Sequence, residues 1–503
     1  MMACELMSAK IVISVFGVSV HVWSVVLGVT LTSIALGYFA GGIASSKTQN
    51  PNLVYWILAS GAMFIMLMPV LGSHLMAATI GYGIITGSFL TLLGILLPAL
   101  VCMGMTLPVV ISLLTRDLEN AGRDAGTVYA ISTVGGILST FACGFWLLPT
   151  FGIRSTALFF TVTLVTIPVV MLSLQRRPAV LIYPVVAAIV LLTSPDMKLR
   201  AGRVSIVHQS EGILGQLKVV DAPMYSEFDN RIIQSRALLV NNSSQTIIEK
   251  GQPQNSMWAY PYFIQTLTSM YPAGSPVLLL GLGGGSIAKR LESSKFNLDI
   301  VDIDERLVPI AKRFFGASPD LAITVDDGRH YLKTSAKRYD AIISDMYLSE
   351  SVPLHTVTVE FFAELKSHLN AGGVLLINFY GQIEGPDGRA GRCLLKTLTE
   401  AGYEALLVGT TTDPDWREII FVATVGPLDL TNIQPLAHNY VQIDDITEWI
   451  IDTSNINLED ALVLTDDKPL LDQIYMGPVL KWRRGDNKIY TEKFFLAGQP
   501  VFR

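Results

Sequence analysis

The sequence predicts an N-terminal α-helical membrane bundle and a C-terminal Rossmann-like α/β domain, with a small β-hairpin subdomain between them. Three observations carry this reading. Half of the 503 residues are apolar and the mean hydropathy is +0.46, too high for a fully soluble chain of this length. The apolar residues gather between about Val22 and Ser194 in long, nearly uncharged runs, and charge returns after Lys198. From Val277 onward, short apolar runs alternate with helical segments, the pattern of a parallel sheet covered by helices. The boundaries read as 1–197 for the helical part, 198–255 for the hairpins and 256–503 for the α/β domain.

In the first part, the segments 22–44, 52–71, 76–100, 127–149, 154–174 and 178–194 are each near the twenty or so residues that cross a bilayer as helix. About six spans are expected. Pro98 and Pro108 are the expected breaks in the long stretch Leu75 to Leu114. Small residues such as Gly37, Gly41, Gly42, Gly135, Gly136 and Gly144 allow helices to approach closely in lipid. Ionisable groups are almost absent from the spans, which argues against an ion or proton relay. Arginines and lysines fall on both sides and leave the orientation open.

Between bilayer and α/β domain, Val204–Val207, Gly215–Val220 and Arg236–Val240 alternate in character and are separated by Gly, Pro and Asn. Two small hairpins are expected there. Met257 to Met270 reads as an amphipathic helix carrying Trp258, Tyr260 and Tyr262, one of which can reach a site at the first strand. That strand is Val277–Leu280, followed by Gly281, Gly283, Gly284 and Gly285, a helix from Ser286, and a strand from Leu298 that ends in Asp302 and Asp304. Glycines permit a tight turn and close approach of a ligand. Acids about twenty residues downstream are placed to take ribose hydroxyls. The G-x-G-G-G form, with Ser286 at the sixth position, suits an S-adenosylmethionine-type ligand, which has no pyrophosphate to seat.

Later strands end in Asp326-Asp327-Gly328 and in Asp345, and further strands are expected at Val374–Tyr380, Ala405–Val408 and Ile419–Val425, giving seven. Ligands of an open parallel sheet bind beyond the carboxyl ends of its strands, where Asp302, Asp327 and Asp345 all fall. Cys4, Cys102, Cys143 and Cys393 have no metal-ligand spacing, so no metal is expected. A net charge of −6 without a basic stripe argues against nucleic acid as a partner.

These motifs together resemble the spermidine synthase (polyamine aminopropyltransferase) family, and more closely its membrane-embedded branch. The residues that carry the resemblance are Gly215-Gln216, Asn241 to Gln245, Gly281 to Ser286, Val301 to Asp304, Asp326 to Gly328, Tyr339 to Asp345, Val352 to His355, Glu360 to Phe362 and Leu464 to Pro469; the run from Phe16-Gly17 through Gly37-Tyr38 to Gly41-Gly42 is similar to the family's membrane part. The resemblance implies a class I methyltransferase-type fold and transfer of an aminopropyl group to an amine, in polyamine biosynthesis, with release of methylthioadenosine. The co-substrate is decarboxylated S-adenosylmethionine or S-adenosylmethionine, and no metal is involved. By the same resemblance Gln245, Tyr262, Gly281, Gly283, Gly284, Gly285, Asp302, Asp304, Asp327 and Gly328 bind the co-substrate, Asp302 at the ribose and Asp327 at the adenine amino group. Asp345 faces the reacting amine.

The family's Asp-x-x-Asp after this strand reads Asp345-Met346-Tyr347-Leu348, so its second acid is missing. Tyr347, Glu350 and His355 are the expected substitutes. Three readings stay open: aminopropyl transfer; a methyltransferase, or a lyase or cyclase acting on the methionine chain; and a polyamine or nucleoside sensor or transporter without catalysis. The expected partners are an amine and the lipid bilayer, with a homodimer implied by the soluble relatives. The expected location is the inner membrane, with the α/β domain in the cytoplasm where the co-substrate is made.

Overall fold

The computed structural model describes residues 1–115, 120–183, 185–186, 204–226, 230–411 and 418–496. Two compact units emerge, one from the described residues of Met1–Gly202, Gln209–Leu217 and Asp486–Arg503, the other from those of Arg203–His208 and Lys218–Gly485.

The first unit holds α1 (Met2–Phe16), α2 (Val20–Lys47), α3 (Asn52–Thr79), α4 (Ile84–Leu114), α5 (Ala121–Phe141) and α6 (Leu148–Leu174). Among the described residues, four stretches are long and apolar enough to cross a membrane: Val20–Lys47, Asn52–Tyr82, Ile84–Leu114 and Ala121–Leu174. The last has 54 residues and is kinked at Gly152, where φ is 75°, so it divides near the expected boundary between 127–149 and 154–174. Most of the expected span 178–194 lies outside the described residues. Pro98 and Pro108 do not break their helix as expected. Both sit inside α4, since neighbouring helices in an apolar bundle can absorb the freed backbone groups. The chain turns earlier, at Gly83, with φ 85°.

Gly37 and Gly41 of α2 pack directly on α4. A Cβ at Gly37 would lie 2.6 Å from the Val101 carbonyl oxygen and 2.9 Å from Gly104 Cα, and one at Gly41 would lie 2.6 Å from the Met105 carbonyl oxygen. Gly37→Leu should therefore force the two helices apart and cost roughly 1–3 kcal/mol. Thermal unfolding in detergent checks this, with Gly42→Leu, where nothing lies within 4 Å, as the tolerated control.

In the second unit the stretch expected to form two hairpins is one five-stranded sheet, β1 (Ser205–Ser210), β2 (Leu217–Ser226), β3 (Arg231–Val240), β4 (Ser243–Glu249) and β5 (Gln252–Ser256), in that order. Asn241 and Asn242 make the β3–β4 turn with φ of 50° and 61°, the left-handed pair that a type I′ two-residue hairpin loop requires. Next come α7 (Tyr260–Thr268), β6 (Pro276–Leu280), α8 (Ser286–Ser293), β7 (Asn297–Asp302), α9 (Leu307–Phe314), β8 (Ile323–Val325), α10 (Gly328–Thr334), β9 (Tyr339–Ser344), α11 (Val359–Ser367), β10 (Leu369–Tyr380), α12 (Arg389–Glu400), β11 (Glu404–Gly409), β12 (Glu418–Thr424), α13 (Leu471–Ile474) and α14 (Met476–Asp486). The seven strands β6 to β12 form one sheet in the order β11-β12-β10-β9-β6-β7-β8. It is parallel except for β12, which runs antiparallel to both β10 and β11. Val277–Leu280, Ala341–Ile343 and Val374–Leu376 are all buried, as strands covered on both faces must be.

Candidate functional site

The strand order places β6 between β9 and β7, so the loops leaving these three strands converge at one end of the sheet. Gly281 leaves β6 with φ 100°, and a Cβ there would stand 2.2 Å from the carbonyl oxygen of Asp345. Only glycine lets the ends of β6 and β9 meet this closely. Gly283 and Gly285 follow with φ of 53° and 81°, Gly285 forming the N-cap of α8. The N–H of Gly284 donates to Thr246 Oγ1 at 2.9 Å. A Cβ at Gly284 would meet Thr246 Cγ2 at 2.7 Å, so β4 closes one side of the loop. The sequence reading had no signal for Thr246. Gln245 beside it donates to the carbonyls of Ser349, at 2.8 Å, and Ser244.

Asp302, at the end of β7, accepts the N–H of Leu282 on Oδ2 and that of Asp304 on Oδ1, both at 2.8 Å. It thus latches the glycine loop to β7, with the N–H of Gly283 also contributing to this carboxyl. Burial pushes this carboxyl above its ordinary range. Asp304, expected beside it on the ligand, turns to Arg306, which holds its Oδ2 at 2.6 Å and its Oδ1 at 2.8 Å. Asp327 caps α10, accepting the N–H groups of Arg329 and His330 at 3.0 Å. Its other oxygen meets His355 Nε2 at 3.1 Å. Burial alone would raise this carboxyl, but these partners outweigh it and hold it below the usual range. Gly328 faces Met346, whose Sδ would lie 2.9 Å from a Cβ there.

Asp345 lies between Asn378 Nδ2, 2.9 Å from Oδ1, and the Tyr260 hydroxyl, 3.4 Å from Oδ2. Desolvation in this setting pushes it up to about 6; the donors from Asn378 and Tyr260 pull it down and the charge of Asp302 pushes it up. An aromatic wall surrounds it. Trp482 of α14 packs on Tyr380, Tyr347 and Trp258 with ring centroids 4.9, 5.6 and 5.9 Å apart, and Trp258 meets Tyr260 at 5.8 Å. The Tyr347 hydroxyl accepts the N–H of Tyr380 at 2.9 Å, which fixes its ring. Two polar atoms here have no hydrogen-bond partner among the described residues: Asn378 Oδ1 and Trp482 Nε1.

Two expected site residues lie elsewhere. Tyr262 is fully buried under the Arg290 guanidinium, 3.4 Å from its ring centroid, with its hydroxyl on the Ser256 carbonyl at 3.1 Å. Tyr260, two residues earlier and so on the other side of α7, reaches Asp345 instead. Glu350, expected to replace the missing acid, is committed to Arg483. That guanidinium and Glu350 are both essentially without exposure, and Arg483 also donates to the Asn241 carbonyl at 2.6 Å and to Ser349 Oγ at 2.8 Å. His355 joins Asp327, not Asp345.

The sequence pattern of the spermine/spermidine synthase domain matches residues 264–379. A probable polyamine aminopropyl transferase of Bifidobacterium longum is 27% identical over 60% of this chain and 70% of its own length. A polyamine aminopropyltransferase of Vibrio vulnificus is 27% identical over 40% of this chain and 67% of its own. Among solved structures, spermidine synthase from Thermotoga maritima aligns with 12% identity and a TM-score of 0.37, covering 56% of this chain and 94% of that one. A probable spermidine synthase from Corynebacterium glutamicum aligns with 19% identity and a TM-score of 0.36, over 46% and 82%. The matched residues 264–379 carry the glycine loop, Asp302, Asp327 and Asp345.

Proposed function

We propose that the chain is a polyamine aminopropyltransferase that joins the aminopropyl group of decarboxylated S-adenosylmethionine to an amine and releases methylthioadenosine. The observation that carries this is Asp345 at the end of β9, adjoining the glycine loop and enclosed by Tyr260, Tyr347, Tyr380 and Trp482. A carboxylate ringed by aromatic faces is a site for a cationic amine. The co-substrate is assigned to the other half, where the positive-φ glycines bring the ends of β6 and β9 together beside the Asp302 carboxyl. Its sulfonium supplies an activated leaving group, so the protein has to align the amine and keep it unprotonated. Asp345 orients the amine nitrogen and accepts its proton as the C–N bond forms and the C–S bond breaks. Asp327 faces the adenine and Asp302 the ribose.

The four apolar stretches support a bilayer anchor, with the α/β unit on the cytoplasmic side. Recovery of the chain in the carbonate-washed membrane fraction is the expected result.

The role of Asp345 sets the pH dependence. With its carboxyl at about 6, the base is ionised above that pH and protonated below it. For decarboxylated S-adenosylmethionine and 1,4-diaminobutane, kcat/KM should fall about tenfold per unit as pH drops below about 6. A profile flat to pH 5 would exclude Asp345 as the base.

A further inference from the structure

Glu418 opens β12 and lies opposite Tyr380, the last residue of β10. Residues directly opposite in an antiparallel pair project from the same face, and so do alternate residues of one strand. Glu418, Tyr380 and Asn378 therefore share a face, the one on which Asn378 holds Asp345 and Tyr380 packs on Trp482. Glu418 is 7% exposed, and among the described residues no hydrogen bond or ion pair reaches its carboxyl. The Asp345 carboxyl lies within electrostatic reach of it and pushes it up, and the charge of Glu418 itself pushes up the hydroxyls of Tyr260 and Tyr347. All are acidic or neutral. Two buried carboxyls that raise each other's proton affinity are costly to keep ionised without a cation, and Asn378, on the same sheet face, adds an acceptor in its unpaired Oδ1.

We propose that Glu418 is the second carboxyl of the acceptor pocket, where it binds the nitrogen of an α,ω-diamine that stays protonated while Asp345 orients the nitrogen that reacts. This rests on the aminopropyl-transfer reading above. It also accounts for Leu348 at the position of the missing acid: the charge comes from β12, not from the loop after β9. Burial and the charge of Asp345 push Glu418 up to about 8, so at neutral pH the empty pocket holds Glu418 protonated. A seated ammonium draws that proton off and pairs with the carboxylate.

The test is isothermal titration of the full chain in detergent, with methylthioadenosine present, using 1,4-diaminobutane and n-butylamine as probes. Glu418→Gln should weaken 1,4-diaminobutane at least tenfold, leave n-butylamine unchanged, and leave the affinity for methylthioadenosine within twofold, which also reports intact folding. Glu418→Asp should recover part of the loss. Equal diamine affinity in wild type and Glu418→Gln, or no diamine binding by the wild type, overturns the assignment. Diamine binding that depends on Glu418 without turnover would sink the transferase reading and leave the binding role standing.

Discussion

Asp345→Asn should lower kcat by about a thousandfold, within the 10²–10⁴ range of a positioned base, and leave the affinity for methylthioadenosine within twofold. The amide is nearly isosteric and its oxygen can still accept from Asn378 Nδ2, now 2.9 Å away. It cannot take a proton. The split between kcat and ligand affinity is the informative part, because a variant that merely loosened the end of β9 would disturb Gly281, which lies against the Asp345 carbonyl, and lose the nucleoside as well. The same substitution removes the charge that Glu418 faces, so the Glu418 carboxyl should move back toward the ordinary range. Steady-state kinetics paired with calorimetry read both effects. An unchanged kcat would remove Asp345 from the chemistry.

The second large effect concerns stability. Arg483→Met should cost roughly 3–5 kcal/mol, because Glu350 is left as a buried charge without its partner. Ser349 Oγ and the Asn241 carbonyl lose a donor in the same step. The double variant Arg483→Met with Glu350→Met should recover most of this, since replacing both members of a buried pair by apolar residues is often nearly neutral. Turnover is expected to fall in the single variant too: Arg483 adjoins Trp482 on α14, and Trp482 covers Tyr347 and Tyr380. Urea unfolding followed by tryptophan fluorescence checks the order of the three stabilities. Equal midpoints for wild type and Arg483→Met would mean that the pair does not hold α14.

Most of the α/β domain could be read from the chain because its strands are apolar on both faces and each is closed by a turn or an acid. The strand expected to end in Asp345 is β9 (Tyr339–Ser344), and Asp302, Asp327 and Asp345 follow from the rule that ligands sit beyond the carboxyl ends of parallel strands. What could not be read is whatever the fold imports from far along the sequence. Glu350 looked free because its partner Arg483 lies 133 residues downstream. Trp482, Asn378 and Glu418 reach the Asp345 region from α14, β10 and β12, and no local spacing announces them. Tyr262 was the expected contact, but packing gives it to Arg290 and brings its helix neighbour Tyr260 to Asp345. In the helical unit, hydropathy located the long apolar helices and the boundary near Gly152, but the chain turns before α4 at Gly83 and not at Pro98 or Pro108. Proline is only an unconditional break where the backbone groups it frees have no other partner.

The central claim is aminopropyl transfer, and product analysis by mass spectrometry tests it most directly. The purified chain in detergent is incubated with decarboxylated S-adenosylmethionine or with S-adenosylmethionine, each with and without 1,4-diaminobutane. The account predicts methylthioadenosine together with an aminopropylated diamine, only with the decarboxylated compound and only when the amine is present. Methylthioadenosine from S-adenosylmethionine alone, S-adenosylhomocysteine in any mixture, or binding without product would contradict it.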